Sequence, residues 1–147
     1  MTPPEGCVFC RIATGELAAR IVHEDERVLA FLDLAPATPG HTLVVPRAHY
    51  RDLWDIPDAE LAHVAVSARR VAAAIASALG APGMKLHQVS GAEAGQDVFH
   101  FHLHLIPRWK GDGVQPGWGV APWRPPELDD ARCDEIAASI RAELEGR

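Results

Sequence analysis

The hydrophobic and polar positions of the chain predict short strands and helices. Apolar residues recur at helical spacing from Pro57 to Leu79, where Gly80 ends the pattern, and again from Cys133 to Leu144. A further short helix is expected from Arg11 to Leu17. Short apolar runs bounded by polar residues, Gly or Pro are typical of strands, and they occupy residues 21–23, 28–32, 41–45 and 84–89.

One stretch, residues 100–107, alternates histidine with apolar residues: HFHLHLIP. Because a strand has a period of two, a strand here would place the imidazoles of His100, His102 and His104 on one face. Solvated faces usually mix Lys, Glu, Thr and Ser, so a face built from histidine indicates chemistry. Nucleophilic chemistry and metal binding both remain open on this stretch alone. His87, in the preceding strand, is expected to be structural.

These elements predict an α+β fold with a single antiparallel sheet of about five strands, the long helix packed on it, and a C-terminal helix. Parallel order is disfavoured, because only one long helix is available for crossover connections. The 147 residues predict one domain, 1–147, with a core of about residues 7–109 and a C-terminal arm and helix over about 110–147. The arm carries Trp118 and Trp123, which would seal a subunit interface, a neighbouring site or the chain's own surface.

Composition and charge exclude several classes of protein. Hydrophobic residues make up 48% of the chain and charged residues 23%, which is typical of a globular domain rather than a disordered one. The net charge of −6, with 14 Lys and Arg scattered along the chain, disfavours a nucleic-acid partner. No apolar run approaches the ~18 residues of a membrane span. Met1 to Gly6 lacks the features of a signal peptide, so we expect a cytoplasmic protein with no membrane partner.

The three cysteines of a cytoplasmic chain are not expected to form a disulfide framework, and Cys133 is expected to be a buried or half-buried apolar residue. Cys7 and Cys10 have the spacing of two thiolates that share a metal, for which structural zinc needs two further ligands. A redox pair is disfavoured, because no strand can precede residue 7. Two cysteines without any ligand remain an open alternative.

The histidine stretch and the five residues before it, Gly95-Gln96-Asp97-Val98-Phe99, resemble the signature of the histidine triad (HIT) family. Other stretches resemble family landmarks in family order: Cys7-Val8-Phe9-Cys10, Phe31-Leu32-Asp33, Thr38-Pro39-Gly40-His41 and Val45-Pro46-Arg47-Ala48-His49. The resemblance covers about residues 7–109 and is strongest to bacterial, zinc-bearing, Hint-like HIT hydrolases. It implies a HIT-like fold.

The resemblance also implies an activity. HIT enzymes are nucleotide-binding hydrolases or nucleotidyl transferases, so the expected reaction cleaves the α-phosphorus bond of purine nucleoside phosphoramidates or related nucleotide conjugates through a nucleotidyl-histidine intermediate. By position His102 is the nucleophile, and His104 and His41 complete the catalytic group. The alternatives are a nucleotide-binding module with negligible catalysis, a dinucleoside polyphosphate hydrolase, and a catalytic metal centre.

The residues expected to bind the nucleotide follow from the same resemblance. Asp33 would hold the ribose hydroxyls, and backbone N–H groups of the loop Gly91 to Gln96 would approach the phosphate. The full set is Phe31, Asp33, Leu34, Leu43, Gln96, Asp97 and His104. Two positions depart from the family pattern: Ser90 replaces an asparagine, and Asp97 replaces a serine that contacts phosphate in animal relatives.

Two further expectations rest on the resemblance. A structural Zn²⁺ would be bound in a closed tetrahedral site by Cys7, Cys10, His49 and His100. A homodimer is expected, because HIT proteins pair two subunits and because a small sheet leaves edge strands that need covering. In such a dimer Trp118 or Trp123 would help wall the partner's nucleotide pocket, the alternative being an arm packed on its own subunit.

Overall fold

The structure, a computed structural model, describes residues 4–114 and 128–146. Its elements along the chain are α1 (Val8–Ala13), β1 (Ile21–Glu24), β2 (Val28–Leu32), β3 (Thr42–Pro46), α2 (Asp58–Leu79), β4 (Gly83–His87), a 3₁₀ turn (Ala92–Ala94), β5 (Leu103–Arg108) and α3 (Asp130–Glu145). None of the helices in this part of the chain combines the length and apolar character that a membrane crossing requires. Trp118 and Trp123, which are predicted to seal an interface, a site or the chain's own surface, lie outside the described residues.

The five strands form one sheet in the order β1-β2-β3-β5-β4, and every neighbouring pair is antiparallel. This confirms the predicted α+β fold with one antiparallel sheet, one long helix and a terminal helix. All five residues of β2 are buried. A strand covered on both faces has no solvated side, which explains why its sequence is a continuous apolar run rather than an alternating one.

One face of the sheet packs against α2 and α3. Phe101 and Leu105 are fully buried there, in a single cluster with Val71 and Ile75 of α2 and Ile140 of α3. The predicted stripe of α2 therefore faces the sheet. Cys133 is half-buried beside the same cluster, as expected for a small apolar residue.

The other face of the sheet packs against α1. Phe9 and Ile12 of α1 form a second, smaller cluster with Phe31 of β2 and Leu43 of β3. Residues at odd and even positions of the strands thus enter different clusters, as a period of two requires. The histidine face of the chain belongs to this second side.

Several predicted boundaries shift in the structure, and two of the shifts have an evident cause. The first helix runs from Val8 to Ala13 rather than from Arg11 to Leu17, because Cys7 caps it: the Cys7 Sγ accepts the N–H of Cys10 at 3.4 Å. The last strand begins at Leu103, where pairing with β3 begins, so His100 and His102 precede it. The chain before Leu103 still alternates, and its N–H at Phe101 donates to the carbonyl of Tyr50.

Candidate functional site

A cleft of about 460 Å³ opens on the α1 side of the sheet. Its apolar wall comes from α1, β2 and β3, and its polar end comes from the histidine stretch. Among the residues predicted from the sequence, the cleft is lined by Phe31, Asp33, Leu34, His41, Leu43, Asp97, His102 and His104. Gln96 is not among the lining residues.

His102 is buried at the polar end of the cleft and holds a defined orientation. Its Nδ1 lies 2.7 Å from the carbonyl oxygen of His100, and its ring meets the Phe9 ring edge-on at 5.1 Å. Since a carbonyl only accepts, Nδ1 carries the hydrogen and Nε2 keeps a lone pair. Burial lowers the pKa of His102, which the hydrogen bond to His100 and the charges of Asp97 and Asp33 only partly offset. The ring is therefore neutral at pH 7, with a free nitrogen.

His41 and His104 form a hydrogen-bonded chain whose direction is fixed by a backbone amide. The N–H of Ala37 donates to the His41 Nδ1 at 2.9 Å, so the neutral His41 ring carries its hydrogen on Nε2. This Nε2 lies 3.0 Å from the His104 Nδ1, which must accept, so His104 carries its hydrogen on Nε2. Burial, then neighbouring histidines, lowers the pKa of His41 to about 4 and of His104 to about 2.

The turn before β3 places His41 beside His104. Gly40 has a φ of +89°, and a Cβ at this position would collide with the side chain of Leu79. Thr38 Oγ1 donates to the carbonyl of Pro107 at 2.7 Å, which ties the turn to the end of β5. Thr-Pro-Gly-His is thus a structural unit that delivers an imidazole to the cleft.

Asp33 lies at the rim of the cleft, between a turn and His41. Its Oδ1 accepts the N–H of Ala35 at 2.9 Å, and its Oδ2 lies 3.4 Å from the His41 Nε2. Asp33, His41 and His104 bring three ligand-type atoms within 4.8 Å of one another. Since the His41 Nε2 carries a hydrogen, it has no lone pair for a metal. The group is a hydrogen-bonded chain rather than a metal centre.

A second cluster of ligand-type atoms lies under α1. It consists of the Sγ atoms of Cys7 and Cys10 and the Nδ1 atoms of His49 and His100. The atoms are separated by 3.4 Å for each of Cys7–His100, Cys10–His49 and Cys10–His100, and by 3.2 Å for His49–His100. Ligands around one tetrahedral zinc ion are about 3.3–3.8 Å apart, as follows from Zn–N and Zn–S bonds of about 2.0 and 2.3 Å. The cluster therefore fits Zn²⁺.

The protonation of this cluster also fits a metal. The His100 Nε2 donates to the carbonyl of Pro46 at 2.8 Å, so its Nδ1 faces the sulfurs with a lone pair. Burial lowers the pKa of His100 to about 4 and also lowers that of His49. Burial, then contact with Cys7, raises the pKa of Cys10 to about 12. A bound cation would favour loss of the thiol protons and would be coordinated by the lone pairs that these four side chains bring together.

The loop before the histidine stretch uses four of its backbone amides for hydrogen bonds of its own. Gly91 N–H donates to the Oε1 of the buried Gln96 at 2.7 Å, and Gln96 Nε2 donates to the carbonyls of Arg51 and Val98. The N–H groups of Ala94, Gly95 and Gln96 also donate within the loop. These four amides are committed within the loop, so an N–H contact with phosphate would have to come from its other residues, and that contact stays a prediction. Gln96 fixes the loop, and its contact with nucleotide stays a prediction.

The two departures from the family pattern occupy different places. Ser90 Oγ accepts the N–H of Leu53 at 2.9 Å and donates to Gln88 Oε1 at 3.0 Å, so it joins the loop to the chain before α2. Asp97 is exposed and lines both the main cleft and a neighbouring cleft of about 660 Å³. The carboxylate thus lies at the mouth of the cleft.

One histidine at the site was missed by sequence reasoning. His87, expected to be structural, lies opposite His104 in the register of β4 and β5, and the two rings stack at 4.4 Å. The signal was a polar residue in a strand adjacent to the histidine stretch. To recognise this signal one needs the register of β4 on β5, which the sequence alone does not reveal.

Comparison with known proteins identifies relatives of the chain. The HIT domain family matches residues 14–111. An uncharacterized HIT-like protein of Methanocaldococcus jannaschii is 39% identical over 135 residues, which cover 92% of this chain and 98% of the relative. An adenylylsulfatase of Arabidopsis thaliana is 33% identical over 139 residues, which cover 94% of this chain and 69% of the relative.

A solved structure has the same architecture. The crystal structure of a zinc-bound histidine triad family protein from Mycobacterium smegmatis matches with a TM-score of 0.83 at 37% sequence identity. The match covers 96% of this chain and 94% of the other. The likeness therefore extends through nearly the whole chain.

Proposed function

The chain belongs to the HIT domain family, and on that basis we propose that it is a nucleotide hydrolase or nucleotidyl transferase acting at the α-phosphorus of purine nucleoside phosphoramidates or related nucleotide conjugates. The observation that carries the proposal is the hydrogen bond from His102 Nδ1 to the carbonyl of His100 at 2.7 Å. It leaves a neutral, nucleophilic Nε2 on a buried ring that lines the cleft.

The proposed reaction has two steps. His102 Nε2 forms a bond to the α-phosphorus, and the P–N or P–O bond to the leaving group breaks with its electron pair, the leaving atom taking up a proton from solvent water; the water that attacks in the second step returns one. Water then attacks the nucleotidyl-imidazole, which releases the nucleoside monophosphate and restores His102. The carbonyl of His100 stabilises the positive charge that the ring acquires, and the Nε2–H of His104 donates to a phosphoryl oxygen.

The apolar wall supports a nucleoside on the other side of the reacting phosphorus. Phe31, Leu34 and Leu43 line the cleft and would flank the base. Asp33 lines the same cleft and would accept hydrogen bonds from the ribose hydroxyls, since a carboxylate oxygen can accept more than one hydrogen bond. The Arabidopsis relative, an adenylylsulfatase, supports a nucleotide conjugate as the substrate class.

We also propose that Cys7, Cys10, His49 and His100 bind one structural Zn²⁺. The ion, when bound, would cross-link the start of α1 to the segment after β3, which carries His49, and to the segment before β5, which carries His100. The Mycobacterium smegmatis relative, whose crystal structure is zinc-bound, supports this. Thiolate ligands persist in a reducing compartment, which agrees with the expected cytoplasmic location.

The test of the reaction is incubation of the purified chain with an adenosine phosphoramidate, followed by measurement of AMP release. We expect turnover, and we expect His102→Gly to lower it by about a thousandfold or more, because the nucleophile is lost. His23→Gln, which removes a histidine of β1 away from the cleft, is the control and should keep full activity. A rapid alkaline quench should trap a nucleotidyl adduct on His102, detectable by mass spectrometry.

Other outcomes select the alternatives. A His102→Gly enzyme as active as the wild type would end the covalent mechanism. A wild-type chain that binds AMP but releases no product from any conjugate would be a nucleotide-binding module. Turnover of dinucleoside polyphosphates in preference to phosphoramidates would make the chain a dinucleoside polyphosphate hydrolase.

The proposed homodimer is supported by the two edges of the sheet. At the β1 edge, Arg141 of α3 donates to the carbonyl of Ile21 at 2.9 Å, so α3 covers part of that edge. At the other edge, β4 has only β5 as a strand partner among the described residues, and its Leu86 is 53% exposed. An apolar open edge is suited to pairing with a second copy.

A further inference from the structure

His87 and His104 form a stacked pair of imidazoles behind the cleft. They are opposite residues in the antiparallel register of β4 and β5, so their side chains rise from the same face of the sheet. Their ring centroids are 4.4 Å apart and their planes differ by only 26°. His104 lines the cleft, whereas His87 is half-buried and does not line it. His87 therefore contacts the site through His104.

His104 is enclosed by three other histidine rings. His41 holds its Nδ1 by a hydrogen bond of 3.0 Å, and His102 meets it at 4.9 Å with an interplanar angle of 62°. Neither contact covers the flat face of the ring. The near-parallel ring of His87 does so, and it opposes rotation of His104 about its Cβ–Cγ bond.

This rotation matters because a half-turn of the ring would put Cδ2 in the place of Nδ1 and Cε1 in the place of Nε2. In the observed orientation Nδ1 accepts from His41, and the hydrogen is consequently on Nε2. A turned ring could no longer accept the hydrogen bond from His41. Its tautomer would then no longer be set by the hydrogen-bonded chain that begins at the Ala37 amide.

The chemistry of His87 agrees with a role in stacking. Its Nδ1 is buried and has no hydrogen-bond partner among residues 4–114 and 128–146, so the described surroundings use the ring rather than this nitrogen. Burial, then the charge of Lys85 on its own strand, lowers the pKa of His87, and His102 before β5 adds to this whenever it is protonated. The stack thus consists of two neutral rings, without repulsion between charges.

We propose that His87 is a positioning residue: its ring holds His104 in the orientation in which Nδ1 accepts from His41 and Nε2–H is presented to the reacting phosphoryl group. The kinetic part of this inference rests on the proposed function, whereas the orientation of His104 does not. His87 acts through His104 and does not contact the substrate.

The kinetic test compares two substitutions on the adenosine phosphoramidate. His87→Ala removes the stacked ring, and we expect kcat to fall about tenfold with KM within about twofold, because the residues proposed to hold the base and the ribose are untouched. His87→Phe keeps a flat ring without nitrogens and should restore kcat to within about threefold of the wild type. Leu53→Ala, at an exposed leucine outside the sheet and the cleft, is the control for loss of an apolar side chain.

The second test needs no substrate. Long-range ¹H–¹⁵N spectra distinguish the tautomers of each histidine in the uniformly ¹⁵N-labelled, intact chain. We expect a single Nε2–H form of His104 in the wild type and in His87→Phe, and a mixture of both forms in His87→Ala. An Nδ1–H form of His104 in the wild type, or an unchanged single form in His87→Ala, would overturn the proposal.

The outcomes separate this inference from the proposed function. A wild type that turns over no conjugate removes the proposed function, while the tautomer spectra still support or overturn the role of His87. A His87→Phe variant as slow as His87→Ala, with a wild-type far-ultraviolet circular dichroism spectrum, would overturn the role of stacking. An increase in KM alone would assign His87 to substrate binding and would equally overturn it.

Discussion

At the scale of single residues, the carbonyl to which a histidine donates its ring N–H decides which of its ring nitrogens keeps a lone pair. His100 and His102 are two positions apart, but His100 gives its Nε2–H to Pro46 and keeps Nδ1 for the sulfurs. His102 gives its Nδ1–H to the carbonyl of His100 and keeps Nε2 for the cleft. Opposite tautomers therefore suit the first residue to a metal and the second to a phosphorus atom.

Asp97 supplies a prediction about the leaving group. The exposed carboxylate lines the mouth of the cleft that contains His102. It should repel an anionic leaving group and leave an uncharged amine unaffected. We predict that Asp97→Ser raises kcat/KM for an adenylyl sulfate or a dinucleoside polyphosphate about three- to tenfold, since two like charges about 4 Å apart repel by about 1 kcal/mol in water.

The control for Asp97→Ser is Glu93→Gln. It removes the same charge from the same loop, but Glu93 does not line the cleft. Parallel assays with a phosphoramidate of an uncharged amine should show no change in either variant. An equal change for both substrates in Asp97→Ser would contradict a role in leaving-group selection.

At the scale of elements, α1 depends on the cluster beneath it. The helix has only six residues, Val8–Ala13, which is shorter than the about 12–15 residues that an isolated helix needs in water. Its apolar side chains join the smaller cluster of the fold, and Cys7 and Cys10 join the proposed zinc site. Packing and the ion would together hold α1 over the cleft.

We predict that removal of zinc destabilises the chain and releases α1. Chelation, or Cys10→Ser, should lower Tm by about 10 °C, on the scale of about 2–4 °C per kcal/mol for a domain of this size. Elemental analysis of protein purified without chelator should find about one zinc per chain. The matched control is Cys133→Ser, a half-buried thiol on α3 away from the cluster, which should keep the zinc. Wild-type protein without zinc would contradict the site.

The turn between β1 and β2 is held by Asp25. Its carboxylate accepts the N–H groups of Arg27 and Val28 at 2.8 Å each and lies 3.0 Å from the His63 Nε2. Burial alone would raise the pKa of Asp25, but these hydrogen bonds lower it to about 2. His63 of α2 thus contacts this carboxylate.

The lowered pKa of Asp25 predicts how stability depends on pH. Since the folded-state pKa lies below the value of about 3.9 for an unfolded chain, the carboxylate stabilises the fold above pH 4, and the contribution is lost as the pH falls through about 2. We predict that Asp25→Ala lowers the free energy of unfolding at pH 7 by about 1 kcal/mol, a value reduced for solvent screening because the side chain is 36% exposed.

Urea unfolding at pH 7, 4 and 2 would measure this contribution. The difference between wild type and Asp25→Ala should be constant from pH 7 to 5 and should shrink towards pH 2. Glu26→Ala, in the same turn, is the control. A difference that does not depend on pH would show that the charge of Asp25 contributes nothing.

At the scale of the whole molecule, the unequal edges of the sheet predict how copies assemble. Pairing through β4 should give a dimer of twice 15.9 kDa in light scattering at micromolar concentration. We predict that Leu86→Lys shifts the population to monomer, because a charge on an edge strand opposes pairing. Leu53→Lys, at an exposed leucine outside the sheet, should remain dimeric. A monomeric wild type would contradict the dimer.

The expected reach of the arm into a partner's cleft belongs to the same scale. Trp118 and Trp123 lie outside the described residues, so their contact with a nucleotide stays a prediction. Trp118→Ala and Trp123→Ala, which leave α3 in the core, should weaken both nucleotide binding and assembly if the arm is shared between subunits.

The sequence by itself determined the strands, the long helix, the terminal helix and the family. Each of these is encoded by neighbours in the chain: the period of two in residues 100–107, the helical spacing from Pro57 to Leu79, and the adjacent landmarks of the HIT signature. Local periodicity follows from backbone geometry, so it can be recognised without a fold. The bounds of α1 could not be recognised in this way, because Cys7 caps the helix with a thiol rather than with a typical capping side chain.

Only the tertiary structure decided which nitrogen of each histidine is free and which residues meet at the cleft. The tautomer of His41 depends on the Ala37 amide, and the stack of His87 on His104 depends on the register of β4 and β5. The hydrogen bond from the Gly91 amide to the side chain of Gln96 likewise depends on Gln96 being buried. Protonation and stacking are set by distances between atoms that the chain brings together only on folding, and no spacing along the sequence records those distances.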